Sequence, residues 1–263
     1  MIREAIAASC HGAMRLGAAC TIAALCGCAA SQGSNSVTDG ANSNVLEQGI
    51  VAHWCFDHPD RPAADCSKGG YDGFIAGNVT LAPGVVGQAA NFDGNSWIDV
   101  PSPFFLDGLC QATIASFIWL DNLDHMGQIL GGGDPRGGTD PLSFQLEGGR
   151  LSNVGFEDIP SLTWIKAPDE ATPRFETGRW YHFATTLDTT HTGSRLQIYL
   201  NGLLVDEIEE PGARCIGYDI AMPTQIGAIH ESQRWNGAID ELRVYHRPLS
   251  AEEVALLAAP LPQ

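Results

Sequence analysis

The chain has 263 residues, 44% of them hydrophobic, and carries 31 acidic against 14 basic side chains, a formal net charge of −17. That length suits one large all-β domain, because such sandwiches commonly fill this size around a single core. The charge excludes a nucleic-acid partner, whose phosphates demand an excess of Lys and Arg, and is consistent with solubility or with attraction of cations.

The N-terminus reads as an export signal. Arg3 and Arg15 flank a polar start, and the apolar run from Leu16 to Gly27 is too short to span a bilayer. The run ends in Leu25-Cys26-Gly27-Cys28, which resembles a bacterial lipobox, with a large aliphatic residue at −3 and a small one at −1. On that resemblance residues 1–27 are a lipoprotein signal peptide and Cys28 is the lipid anchor, so that acyl chains hold the protein at the membrane without a transmembrane helix. Ala29, where an Asp would signal inner-membrane retention, implies the outer membrane; ordinary secretion with cleavage nearby is the alternative. Residues 28–48, rich in Ser, Asn and Gly, form a flexible tether that holds the domain about 25 Å from its anchor. Once Cys10, Cys20, Cys26 and Cys28 are set aside, Cys55, Cys66, Cys110 and Cys215 remain, an even number that suggests two disulfides in an oxidising compartment. Of the three connectivities, Cys55–Cys66 is the local choice, which leaves Cys110–Cys215. A metal–thiolate site is the rival, but no Cys-x-x-Cys spacing occurs among the four.

From Gly49 to residue 259 the texture is that of short β runs. Ile50, Ala52, Trp54 and Phe56 alternate with Val51, His53 and Cys55 as a first strand. Trp97 to Val100 follows a turn, and Ala112 to Leu120 is apolar on both faces, as a central strand requires. Short candidates follow at Leu142–Leu146, Arg150–Val154 and Leu162–Lys166, then longer ones at Trp180–Leu187 and Leu196–Leu200. Asn201-Gly202 predicts a tight hairpin into Leu203–Ile208, because both residues tolerate positive φ. Gln225–Ile229 precedes the last strand, Ala238–His246, whose alternation puts Ala238, Asp240, Leu242 and Val244 on one face and Ile239, Glu241, Arg243 and Tyr245 on the other. Pro248 ends that strand. Ser250 with Glu253 makes a capping box, and Leu249 can staple to Val254, so a short helix runs on to Pro260. Many short strands with turn chemistry between them and one helix point to a sandwich or jelly roll.

Ile239-Asp240-Glu241-Leu242-Arg243-Val244-Tyr245, running into Arg247-Pro248-Leu249-Ser250-Ala251-Glu252-Glu253, closely resembles the C-terminal signature of bacterial LamG-like domains of the concanavalin A-like lectin/glucanase superfamily. Ala52 to Asp57, Asn91-Phe92-Asp93-Gly94, Gly178 to His182 and Tyr199 to Gly202 support it. The resemblance implies an all-β, two-sheet antiparallel jelly roll whose last strand lies beside its first. It further implies a structural Ca²⁺ held by Asp240 and by the acidic residue near the first strand, here Asp57, with Asp65 and Asp99 as further candidates. Hard carboxylate oxygens suit that ion, and a buried carboxylate needs a partner. The alternative is that Asp240 accepts backbone N–H groups or pairs with an Arg.

Catalytic patterns are missing. The Glu-x-Asp-x-x-Glu of retaining glucanases in this superfamily has no counterpart; its nearest approach, Glu207-Ile208-Glu209-Glu210, has Gly212 where the second Glu belongs and reads as a solvated strand end. His230-Glu231-Ser232-Gln233-Arg234 lacks the second His of a zinc-protease helix. Gly131 to Thr139 has the glycine of a phosphate loop without its Lys, and reads as a loop. Aromatic residues are the remaining lead: Trp54, Trp119 and Trp180 read as core, whereas Trp164 and Trp235 lie near loops and are the candidate ligand-binding rings. The sequence is thus expected to be a non-catalytic, lectin-like module on a lipid-anchored envelope protein, with a glycan or extracellular protein as partner. A polysaccharide-active enzyme of the same fold and a structural lipoprotein without ligand are the alternatives.

Overall fold

The computed structural model describes residues 45–101, 106–124, 126–133, 142–158, 163–166, 174–190, 192–212, 215–217 and 224–260, the side chains of residues 153 and 157–166 excepted. Cys28 and most of the expected tether lie outside them. Among the described residues the elements are β1 (Ile50–Trp54), β2 (Phe74–Ala76), β3 (Thr80–Pro83), β4 (Gln88–Asp93), β5 (Trp97–Val100), β6 (Gln111–Leu120), β7 (Met126–Gly132), β8 (Leu142–Glu147) and β9 (Arg150–Asp158). They continue with β10 (Thr163–Lys166), β11 (Trp180–Thr189), β12 (Gly193–Leu200), β13 (Leu203–Pro211), β14 (Thr224–Ile226), β15 (Asn236–Tyr245) and one helix, α1 (Ala251–Ala258). No helix among them is long and apolar enough to cross a membrane.

Two antiparallel sheets stack face to face. The first runs β13-β12-β11-β6-β15-β4-β3, with β1 also against β15; the second runs β10-β9-β8-β7-β14-β5-β2. Alternation dictates what lies between them. From the first sheet Ile114, Ile118, Phe183, Ile198 and Ile239 are fully buried, and from the second Ile98, Leu130, Phe144, Phe156 and Ile226 are no more than 2% exposed. Phe144 of β8 and Phe183 of β11 meet across the gap with ring centroids 5.9 Å apart. A smaller cluster covers the outer face of the first sheet, where Leu249, Val254 and Leu257 pack on Ala115, Ala184, Tyr199 and Tyr245. Ser250 caps α1 in the reciprocal box expected of it, and its side chain accepts from the Glu253 N–H.

β1 and β15 pair antiparallel as the resemblance implies, with Ala52 opposite Val244 and Trp54 opposite Leu242. β1 nevertheless stops at Trp54, because Phe56 turns to a φ of 58°. The faces of β15 differ from simple alternation. The pairing with β6 slips between Asp240 and Arg243, and Glu241 there adopts a φ of 52°. That bulge resets the period. Ile239, Leu242 and Val244 therefore share the core, while Asp240 lies on the same side as Tyr245, opposite Phe117 of β6. Gly131 and Gly132 belong to β7 rather than to a loop, and residues 134–139 of that stretch lie outside the described residues. Trp119 and Trp180 are half-buried on the outer face, 5.7 Å apart, instead of inside the core.

Both disulfides form, Cys55–Cys66 and Cys110–Cys215. The second closes a loop with a sequence separation of 105 residues and ties the start of β6 to the segment before β14. Replacing Cys110 and Cys215 together by Ala is expected to lower unfolding stability by about 2–5 kcal/mol, read from urea denaturation of the oxidised protein. An unchanged midpoint would mean that the cross-link constrains nothing.

Candidate functional site

The outward face of the second sheet carries polar residues in the positions that alternate with the core. Trp97 and Asp99 of β5 alternate with Ile98 and Val100, Gln225 of β14 lies opposite Asp99, and Ser143 and Gln145 of β8 alternate with Leu142, Phe144 and Leu146. A loop, Gly227 to Trp235, crosses this face between β14 and β15. It can come close because Gly131 has no side chain: a Cβ there would stand 2.7 Å from the Ala228 carbonyl oxygen.

This loop is bent hard. Ile229 and Ser232 exchange backbone hydrogen bonds of 3.1 and 2.8 Å across a turn whose two central residues, His230 and Glu231, both have a φ of 54°. That is the φ signature of a type I′ turn, which prefers Asn-Gly. Gln233 adds a third left-handed residue at 43°. Non-glycine residues held there cost about 1–3 kcal/mol each, and persist where the surroundings over-determine them. Here buried amides do so. The Gln128 backbone N–H donates to the Gln233 carbonyl at 2.9 Å, and its side-chain Nε2 donates to Gln233 Oε1 at 3.0 Å and to Ser143 Oγ at 3.0 Å. Gln128 Oε1 accepts from Phe144 N–H. Gln225 Oε1 accepts from the Glu231 N–H at 3.0 Å, while its Nε2 donates to Asp99 Oδ1 at 2.8 Å.

The loop so fixed presents Arg234. Its guanidinium carbon lies 4.9 Å from the centroid of the Trp97 ring, and Trp97 Nε1 donates to Asp99 Oδ1. On the neighbouring strand Phe74, directly opposite Asp99, is 65% exposed. Beside them Gly94, Met126 and Glu231 to Arg234 line an open recess of ≈ 510 Å³. The site thus combines aromatic rings, hydrogen-bonding groups and a cation on a rigid sheet, the ingredients of polar-ligand recognition. A second recess of ≈ 460 Å³, lined by Asp188, Thr190, Ser194, Arg195, Glu209 and Glu210, has no aromatic ring.

The residues singled out from the sequence fare differently. Trp235 is fully buried in the main core, so its ring offers no surface to a ligand. It is enclosed because it stands immediately before β15, where the chain enters the sandwich; Arg234 beside it is the half-exposed neighbour. Trp164 lies on β10, and its side chain is outside the described residues. Asp57 and Asp240 each bond to the backbone in or next to the turn between β3 and β4. The Val85 and Val86 N–H groups donate to Asp240 Oδ2 at 2.8 and 3.0 Å, and the Gln88 N–H donates to Asp57 Oδ1 at 2.7 Å. Asp240 is fully buried, and its Oδ1 has no hydrogen-bond partner among the described residues. Burial pushes its carboxyl up to about 7, with the neighbouring Glu241 charge adding to the effect and the two turn N–H groups opposing it. Asp65 instead organises its own loop by accepting from the His53, Ser67 and Tyr71 N–H groups. Asp99 belongs to the Trp97 cluster. The sulfurs of Cys55 and Cys66, which stand near His58, are committed to their disulfide.

Elsewhere, His182 is 2% exposed, packs edge-on against Phe117 at 4.9 Å, and is held down to about 3 by burial and by the Arg243 charge. A neutral, enclosed imidazole of this kind packs rather than shuttles protons. Glu207 accepts from Gln197 Nε2 and Glu209 pairs with Arg195, as a solvated strand end would. Sequence reasoning missed Trp97, Phe74 and the amides; the alternation of Trp97 and Asp99 with Ile98 and Val100 was the available signal.

Residues 92–255, more than half of the chain, match the laminin G 3 family, described as the concanavalin A-like lectin/glucanases superfamily. No curated protein sequence gives a match. Among solved structures, domain 4 of AbnA, a GH43 extracellular arabinanase from Geobacillus stearothermophilus in complex with arabinotriose, is similar at a TM-score of 0.57 and 22% identity, covering 80% of this chain and 98% of that one. The binding domain of Paraclostridial mosquitocidal protein 1 is similar at a TM-score of 0.61 and 16% identity, covering 81% of this chain and 52% of that one. The binding domain of botulinum neurotoxin DC in complex with SialylT gives 0.51 and 14%, with coverages of 82% and 52%. This chain therefore spans about half of each toxin binding domain, and at these identities the likeness is one of fold.

Replacing Gln128 by Ala removes the side-chain donor to Gln233 Oε1 and leaves buried acceptors unpaired. Amide hydrogen exchange in residues 229–234 is expected to rise at least tenfold while the strands keep their protection. Equal exchange in the variant would show that the amides do not hold the turn.

Proposed function

The chain belongs to the concanavalin A-like lectin/glucanases superfamily, and from that premise we propose that it is a non-catalytic, lectin-like module which binds a glycan on the outward face of its second sheet. The observation that carries this reading is the His230–Glu231 turn, bent against its residues' preferences and fixed by Gln128 and Gln225 so that Arg234 lies over Trp97. Strain that the surroundings take such trouble to hold is characteristic of preorganised binding loops. A glycan suits the surface: ring faces for stacking at Phe74 and Trp97, and carboxylate, amide and guanidinium groups for hydroxyls. The glycan complexes named for two structural neighbours support the class of ligand. An exported location is supported by the two disulfides, and we read Cys28 as the lipid anchor and residues 28–48 as the tether that displays the domain.

We also propose that the Asp57–Asp240 turn holds a structural Ca²⁺. The fit rests on Asp240 Oδ1, a buried carboxylate oxygen with no partner among the described residues. Asp240 and Asp57 would hold the ion, and its charge would offset the cost of ionising Asp240 inside the protein.

Two outcomes test these readings. In a glycan array followed by calorimetry, Trp97→Ala and Phe74→Ala are each expected to weaken the best glycan about tenfold or more, a loss typical of central contact residues. Binding that survives both changes places the site elsewhere, and release of shortened products would make the protein an enzyme. For the metal, the raised carboxyl of Asp240 contributes stability that is fully present below about pH 4 and is lost as pH rises through about 7. Added Ca²⁺ should therefore raise the melting temperature more at pH 8 than at pH 5, and Asp240→Asn should abolish the difference. A melt indifferent to both Ca²⁺ and EDTA at pH 8 would remove the ion from the account.

A further inference from the structure

In a chain with 31 acidic and 14 basic side chains, an arginine finds a carboxylate easily. Arg61 pairs with Asp72, Arg179 with Glu176, Arg195 with Glu209, Arg243 with Glu241 and Arg247 with Glu253. Arg234 does not. Among the described residues no carboxylate lies within ion-pair distance of it, although Glu231 is three residues away and Asp93 is near enough for the Arg234 charge to help hold its carboxyl down. The fold spends those acids otherwise. Asp93 Oδ1 accepts from the Asn95 N–H and from Ser96 Oγ, and Asp99 Oδ1 accepts from Trp97 and Gln225.

Arg234 is instead held by groups that carry no formal charge. Its Nε donates to the Glu231 backbone carbonyl at 3.0 Å, and its guanidinium carbon lies over Trp97. The two Nη groups have no acceptor among the described residues. A half-buried guanidinium stacked on an indole is weakly hydrated, and its free edge is a planar fork matched to two oxygens on one centre. The loop that carries it is the strained, amide-fixed one, so little entropy remains to be lost when that edge is used. Most of the net charge of −17 lies on groups distant from Arg234, whose repulsion is screened beyond about 8 Å at physiological ionic strength, while Asp93 and Asp99 nearby already accept hydrogen bonds from their neighbours. Contact at Arg234 decides.

We propose that the glycan bound here is an acidic one, and that Arg234 receives the carboxylate or sulfate group of an anionic sugar unit beside the Trp97 ring. This rests on the lectin-like reading above and adds the chemical class of the ligand. It is tested with the full protein by calorimetry against three probes: oligogalacturonate, the same oligosaccharide with its carboxyls reduced to alcohols, and a keratan sulfate oligosaccharide, which carries sulfate and no carboxylate. The acidic probes should bind at least tenfold more tightly than the reduced one, and whichever binds better tells carboxylate from sulfate. Arg234→Gln should erase that preference while leaving the melting temperature in place, and Arg234→Lys should keep part of it. Equal affinity for acidic and reduced probes, or an Arg234→Gln protein with its preference intact, overturns the acidic ligand and leaves glycan binding standing. Binding of no glycan, acidic or neutral, overturns both.

Discussion

Halfway along β15 the backbone of Glu241 turns into the left-handed region, and its carboxylate lies between Arg243 and His53 Nε2, the latter 3.1 Å away. This residue lets one strand serve three neighbours. β6 runs along one edge, while β4 takes the first half of the other edge and β1 the second. Without the bulge the two-residue period would carry Leu242 and Val244 to the side of Asp240. With it, the aliphatic residues stay in the sandwich, and Asp240 is delivered to the turn between β3 and β4. The buried ion pair is best seen as what keeps a strained backbone in place, since such pairs add little net stability by themselves.

That same residue marks the limit of what alternation could reveal. Most strands, the capped helix and both disulfides follow from local patterns: period-two burial, Asn201-Gly202, Ser250 with Glu253, and the spacing of four cysteines; the meeting of β1 with β15 follows only from the family resemblance of the last strand's motif. Asn201 and Gly202 have φ values of 52° and 78°, as their chemistry allows. No local pattern announces a bulge at Glu241, because its cause is tertiary: a strand that must change partners midway. The short strands β2 to β4 and the glycine-ended β7 were likewise hidden, being too brief or too poor in β-branched residues to stand out.

The candidate site was less legible for a related reason. His230 and Glu231 form the same kind of turn as Asn201 and Gly202, but from residues that disfavour it. Propensity points away from such a turn, and only the amides beneath it, contributed by β7 and β14, make it stable. Trp235 drew notice as an aromatic residue near a loop, yet one step along the chain separates a ring sunk in the core from an arginine on the surface. Burial on that scale is decided by where a strand enters the sandwich.

The chain enters the domain on the side away from the recess. Arg247 bonds the backbone carbonyls of Val45 and Gln48, and Leu46 and Ile50 pack with α1 against the outer face of the first sheet. The recess lies on the outer face of the second. Residues 45–50 therefore lie behind the sandwich, like a handle fixed to the back of a plate, and leave the face with Trp97 and Arg234 uncovered.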